Sequence, residues 1–157
     1  MRKFVMLLAA AATLATTASA QPNFNANPSF GTINLSAGFA DDPRVIAVTA
    51  GGRLSAQSID PDCRGSVANS PDVRLNYTAG GSLPLIISVD SNADTTLAVN
   101  GPDGTWYCDD DTNGTNPVVR FNSPQSGRYD IYVGHYQEGS RIPARLYISE
   151  VTSAGAE

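Results

Sequence analysis

The chain reads as an all-β protein, an antiparallel two-sheet sandwich of jelly-roll type with one disulfide, and three observations predict it. Beyond residue 20, no window of eleven or more residues carries the i, i+3, i+4, i+7 apolar pattern of an amphipathic helix. Short runs with β-branched or alternating apolar positions recur instead, at spacings of roughly 8–12 residues. Clusters of Gly, Pro, Asn and Asp, the residues that turns require, bound each run.

In chain order, residues 1–20 come first and are set apart from the fold. A short basic start, Met1-Arg2-Lys3, precedes an apolar run from Phe4 to Ala15, and Thr16-Thr17-Ala18-Ser19-Ala20 supplies small residues ending in an A-x-A site. That is the pattern of a secretory signal peptide cleaved after Ala20. The apolar run is too short to cross a bilayer, which takes about 20 residues, and no later stretch approaches that length. Gln21, where a lipid-anchored form would have Cys, argues against a lipid anchor. The expectation is an exported protein, periplasmic or extracellular.

Removing 20 of 157 residues leaves 137, the size of one domain. Arg2 and Lys3 leave with the leader, so eight arginines face fifteen acidic residues and the net charge moves from −5 to −7. Such a chain has no basic patch for nucleic acid or an anionic membrane surface. With 41% apolar and 16% charged residues it is globular rather than disordered.

Gln21 to Ser29 is rich in Pro and Asn without periodicity and reads as a flexible lead into a single domain over 30–157. The predicted strands are Arg44 to Thr49, Val73 to Tyr77, Leu83 to Val89, Thr95 to Val99, Val118 to Phe121, Arg128 to Val133 and Ala144 to Val151. Pro71-Asp72-Val73-Arg74-Leu75-Asn76 recurs as Pro117-Val118-Val119-Arg120-Phe121-Asn122, and Gly81, Leu83 and Leu85 match Gly127, Tyr129 and Ile131. A fainter echo relates Thr49-Ala50-Gly51-Gly52 to Thr78-Ala79-Gly80-Gly81. The unit reads as two related hairpins of strand, Gly-containing turn and return strand.

Cys63 and Cys108 stand shortly ahead of the two copies. In an exported chain an even cysteine count points to a disulfide. One His and two Cys cannot supply the four ligands of a structural zinc site.

Residues 94–150 contain Asp94 ahead of an alternating strand with Leu97, a turn with Pro102 and Gly104, an acidic loop at Asp109 to Asp111, and Gly127-x-Tyr129-x-Ile131-x-Val133. This resembles the bacterial pre-peptidase C-terminal domain and related secreted jelly rolls. The resemblance covers about the last 60 residues and implies a non-catalytic accessory domain of exported proteins, in some cases binding calcium or an extracellular polymer.

Three candidate sites emerge. Asp109-Asp110-Asp111-Thr112-Asn113-Gly114 reads D-x-D-x-N-G, the first half of a calcium loop, whose oxygen ligands suit a hard cation. Asp109, Asp111 and Asn113 are its ligand candidates, with Asp94 or Asp90 completing the set, because position 12 is Arg120 rather than Glu. The alternative is a solvated turn, since turns use the same residues. Alternation in the late strand sends Tyr132, Gly134 and Tyr136 to the face opposite Tyr129, Ile131 and Val133, so Tyr132 and Tyr136, joined by Tyr147, form a candidate ligand-binding surface. Trp106 reads as packing over the disulfide.

The one histidine, His135, is the single base that a serine hydrolase could use, and neither Ser66 nor Ser126 sits in a nucleophile motif. The expected function is therefore a binding or accessory module for an extracellular or envelope polymer, peptide or protein. A hydrolase with His135 as base, or a metal-free structural protein of the periplasm, are the alternatives.

Overall fold

The structure, a computed structural model, describes residues 20–154. The expected leader lies outside the described residues except for Ala20. Eleven strands among those residues form two sheets, with one short 3-10 turn at Ala56–Ser58. The first sheet holds β1 (Thr32–Ser36), β3 (Leu54–Ser55), β4 (Ser66–Val67), β5 (Val73–Thr78), β7 (Thr95–Asn100), β8 (Trp106–Asp109) and β10 (Gly127–His135). The second holds β2 (Arg44–Ala50), β6 (Leu85–Asp90), β9 (Val118–Phe121) and β11 (Ile142–Ser149), in the order β2-β11-β6-β9.

β10 organises the first sheet. Residues 127–131 pair with β5 along one edge, where His135 also meets β4, and residues 130–135 pair with β7 along the other. Between the sheets, Val73, Leu75, Leu97, Val99, Ile131 and Val133 pack against Ile87, Val89, Leu146 and Ile148, all at 1% exposure or less. Each such side chain contributes about 1.5–3 kcal/mol when removed from water. The predicted all-β sandwich is the fold observed. One pair departs from antiparallel order: β1 runs parallel to β5, with Thr32 opposite Arg74 and Ser36 opposite Thr78. The chain from Ala37 to Asp72 crosses to the second sheet as β2 and returns, and only so long an excursion can bring two strands together parallel.

The two copies of the repeat are not hairpins, and their return strands differ: Leu83 is 39% exposed where its counterpart Tyr129 is 1% exposed. β5 and β6 lie in different sheets, as do β9 and β10, so each copy is an arch that switches sheets. The arches interlock, since β5 pairs with β10 and β6 with β9. Val73 and Val119 occupy equivalent core-facing positions, while Arg74 and Arg120 point outward.

The outer face of the first sheet is covered twice. Cys63 and Cys108 form the predicted disulfide, their Cα atoms 5.2 Å apart, and draw the segment before β4 over that face. Cys63, Ala56, Val67, Ala98 and Tyr132 make a second small core there, with Trp106 against it as expected. The Gln21–Ser29 lead, read as flexible from composition, is hydrogen-bonded over the same face. Arg74 donates to the carbonyls of Phe24 and Ala26, Ser29 N–H donates to Pro71, and Asn23 N–H donates to Asn69.

Candidate functional site

Where β2 ends and β10 begins its return, three segments frame a groove. The turn Gly51-Gly52-Arg53 follows β2, Ala68 and Asn69 follow β4, and the loop from Tyr136 to Arg141 joins β10 to β11. The groove has a main hollow of about 560 Å³ and an adjoining one of about 440 Å³, sharing Gly52, Arg53 and Gly139. Arg53, Asn69 and Arg141 line the first; Ser55, Ser66 and Glu138 line the second.

Glycine is required on the floor. Gly51 has φ +100°, and a Cβ there would overlap the Ser140 carbonyl; a Cβ on Gly52 would overlap the Val67 carbonyl. The β2–β3 turn therefore lies directly against the β4 and β10–β11 backbones, which sets the shape of the groove.

The electrostatics single out two of the eight arginines in the described residues. Arg44, Arg74, Arg128 and Arg145 pair with carboxylates; Arg64 donates to carbonyls, and Arg120 to Asn122. Arg53 and Arg141 have neither an ion pair nor a side-chain hydrogen bond among the described residues, and both are exposed on the groove. Below them Asp72 is buried and accepts the Val133 N–H at 2.7 Å. Burial pushes its carboxyl up to about 7, a rise that the Val133 hydrogen bond and then the Arg141 charge partly offset. Ser66, 2% exposed, has a buried hydroxyl with no partner among the described residues.

Ser66 is a strand residue rather than a turn serine, and it stands directly opposite His135. The pair is not joined as the serine and base of a triad are. His135 Nδ1–H donates to the Gln137 carbonyl at 2.7 Å, the place a triad reserves for a carboxylate, and no hydrogen bond joins Ser66 to His135.

The tyrosine surface does not assemble. Tyr132 does point to the outer face of the first sheet, but the Cys63 segment covers that face and leaves it 0% exposed, with its ring centroid 5.6 Å from that of Trp106. Tyr147 is in the other sheet, half-buried on its outer face beneath Arg145. Tyr136, 48% exposed, stands alone at the start of the groove loop.

The acidic loop is organised by its own hydrogen bonds. Asp109 accepts from Thr112 N–H at 3.2 Å, Thr112 Oγ1 at 2.8 Å and Val118 N–H at 2.7 Å, so both of its oxygens are engaged. Asn113 donates to the Ala154 carbonyl at 2.8 Å. Burial, then Asp111 and Asp109, hold the Asp110 carboxyl above its ordinary range. No three His, Cys, Asp or Glu side chains converge among the described residues as a metal centre needs. Asp94 joins Asp111 and Asp109 in raising the Asp110 carboxyl, and its Oδ1 is buried without a partner among the described residues.

Nothing in the sequence pattern marks Arg53, Arg141, Glu138 or Ser66 as groove residues. The one local signal is Gly51-Gly52, which the sequence presents as an echo of the repeat. Which arginines lack a partner is decided by tertiary neighbours and leaves no trace in local pattern.

Fold and groove together define a two-sheet β-sandwich with a glycine-floored, cation-bearing groove at one end. No protein-family model matches the chain, and no curated protein matches it. A solved structure, that of Aeromonas hydrophila PliG, a periplasmic lysozyme inhibitor of g-type lysozyme, is similar at 15% identity and a TM-score of 0.38, covering 79% of this chain and 98% of that one.

Proposed function

We propose that the protein is an exported, non-catalytic binding module that holds an extracellular or envelope ligand in the groove between Gly52, Asn69 and Arg141. The observation that carries this reading is the pair of uncompensated guanidiniums, Arg53 and Arg141, on one groove of an otherwise acidic chain. An arginine with no protein partner presents a rigid fork of donors to whatever enters, and two of them on glycine-shaped walls make a receptor rather than a solvated rim. His135 has a structural part here, tying the end of β10 to the loop through Gln137. An accessory role beside an exported enzyme, which the pre-peptidase C-terminal resemblance implies, is compatible with such a module.

The test is retention. Purified protein is passed over immobilised envelope and secreted polymer fractions, alongside Arg53→Ala/Arg141→Ala. Wild type is expected to be retained and the double variant to flow through with an unchanged melting temperature. Equal retention of both would remove the groove from the function. Any hydrolysis of a retained polymer that His135→Ala abolishes would overturn the non-catalytic reading.

A further inference from the structure

We propose that the groove's ligand is an acidic glycan chain, recognised by a carboxylate on its sugar units; the proposal rests on the groove reading above. Arg53 and Arg141 supply the charge. Guanidinium forks match carboxylate geometry, and both here are free of competing ion pairs among the described residues. Ser66 adds the second, independent observation. Its hydroxyl is buried beside the groove without a partner among the described residues, and leaving such a group unsatisfied is costly. A ligand hydroxyl reaching it would recover that loss.

The remaining chemistry separates a glycan from an acidic peptide. A sugar chain presents alternating hydroxyl donors and acceptors, and the groove answers with Asn69 and Ser55 and with Glu138, whose carboxylate can accept from sugar hydroxyls. Peptides dock through apolar anchors or by adding a strand to a sheet edge. The groove offers only Leu54 and Ala68 as apolar side chains, and the strand beside it, β3, is two residues long. Its extent, two hollows joined through Gly52 and Arg53, suits a chain longer than one sugar.

The experiment titrates isotope-labelled protein with three probes: oligogalacturonate, the same oligomer with its carboxylates methyl-esterified, and polyglutamate. Binding is read from the backbone amides of Gly52, Arg53 and Gly139. Oligogalacturonate is expected to shift these signals, with affinity falling at least tenfold on methyl esterification and at least tenfold in Arg53→Ala/Arg141→Ala. Ser66→Ala is expected to weaken binding without lowering the melting temperature. Equal binding of the methyl ester would overturn the carboxylate; polyglutamate binding as tightly would overturn the glycan. If no probe binds while the double variant still loses retention on polymer fractions, the groove reading survives and this inference fails. If retention too is unaffected, both fail.

Discussion

At the residue scale, Asp72 couples the core to the groove. In the unfolded chain its carboxyl titrates near 3.9, and in the folded protein burial holds it at about 7. The native state therefore keeps a proton that the unfolded state releases, and this group's contribution to stability falls as pH rises through the window between those values. Asp72→Asn retains an acceptor for the Val133 N–H and has no charge to bury. Its melting temperature is expected to exceed wild type at about pH 8 and to converge on it at about pH 4, where both side chains are neutral. A gap of constant size across thermal melts at several pH values would show that desolvation of Asp72 is not what separates the two. Asp109 makes the opposite kind of contribution, since three donors converge on its two oxygens. Asp109→Ala is expected to cost about 1–3 kcal/mol by leaving those donors without an acceptor. Denaturant melts with added calcium and with chelator test the cation loop. A calcium-dependent rise in the wild-type midpoint that Asp109→Ala loses would support it, and coincident melts for wild type and variant alike would exclude it.

At the element scale, what was legible follows from strand length and from which force sets each element. β2, β5, β6, β7, β9, β10 and β11 were all readable because alternating or β-branched residues report a sheet face directly. β1 carried the same signal in Ile33 and Leu35, but its Asn- and Pro-rich approach obscured it. β3 and β4 are two residues each, too short for any period to show. β8 was absorbed into the acidic run that follows it, although Trp106 and Tyr107 favour strands. The same limit misplaced Tyr132: alternation gave its face correctly, but the cover over that face comes from a distant segment held by the disulfide. That cover gives a prediction. Cys63→Ala/Cys108→Ala is expected to lose up to about 4 kcal/mol by the chain-entropy estimate for so long a loop. Because the inter-sheet core is separate from the small core under the disulfide, the sandwich should persist while that small core loosens. Trp106, the one tryptophan, packs there, so its emission should shift to the red before the sheet signal in circular dichroism is lost. Simultaneous loss of both signals would mean that the covering segment and the sandwich form one cooperative unit.

At the scale of the whole molecule, the interlocked arches and the charge distribution act together. Because β5 pairs with β10 and β6 with β9, the two copies brace each other, and the loops at one end of the sandwich are free to carry function on a rigid frame. The frame is acidic, with fifteen acidic residues against eight arginines beyond residue 20, six of those arginines already engaged by protein groups. An anionic ligand thus meets long-range repulsion from the molecule and short-range attraction from Arg53 and Arg141. The two have different reach. The screening length is about 30 Å at 0.01 M salt, about 10 Å at 0.1 M and about 3 Å at 1 M. Raising salt from the lowest value removes the repulsion first, while contacts at hydrogen-bond distance survive until the screening length approaches their own. Affinity for an acidic oligosaccharide is therefore expected to hold steady or rise between about 0.01 and 0.1 M salt and to fall toward 1 M. Arg53→Ala/Arg141→Ala should keep the low-salt repulsion and lose the attraction, so what binding remains should only strengthen with salt. Isothermal titration across the salt series reads both curves. A steady fall in wild-type affinity from the lowest salt upward would mean that cations beyond the groove pair govern the encounter, and that the acidic frame does not act as a barrier.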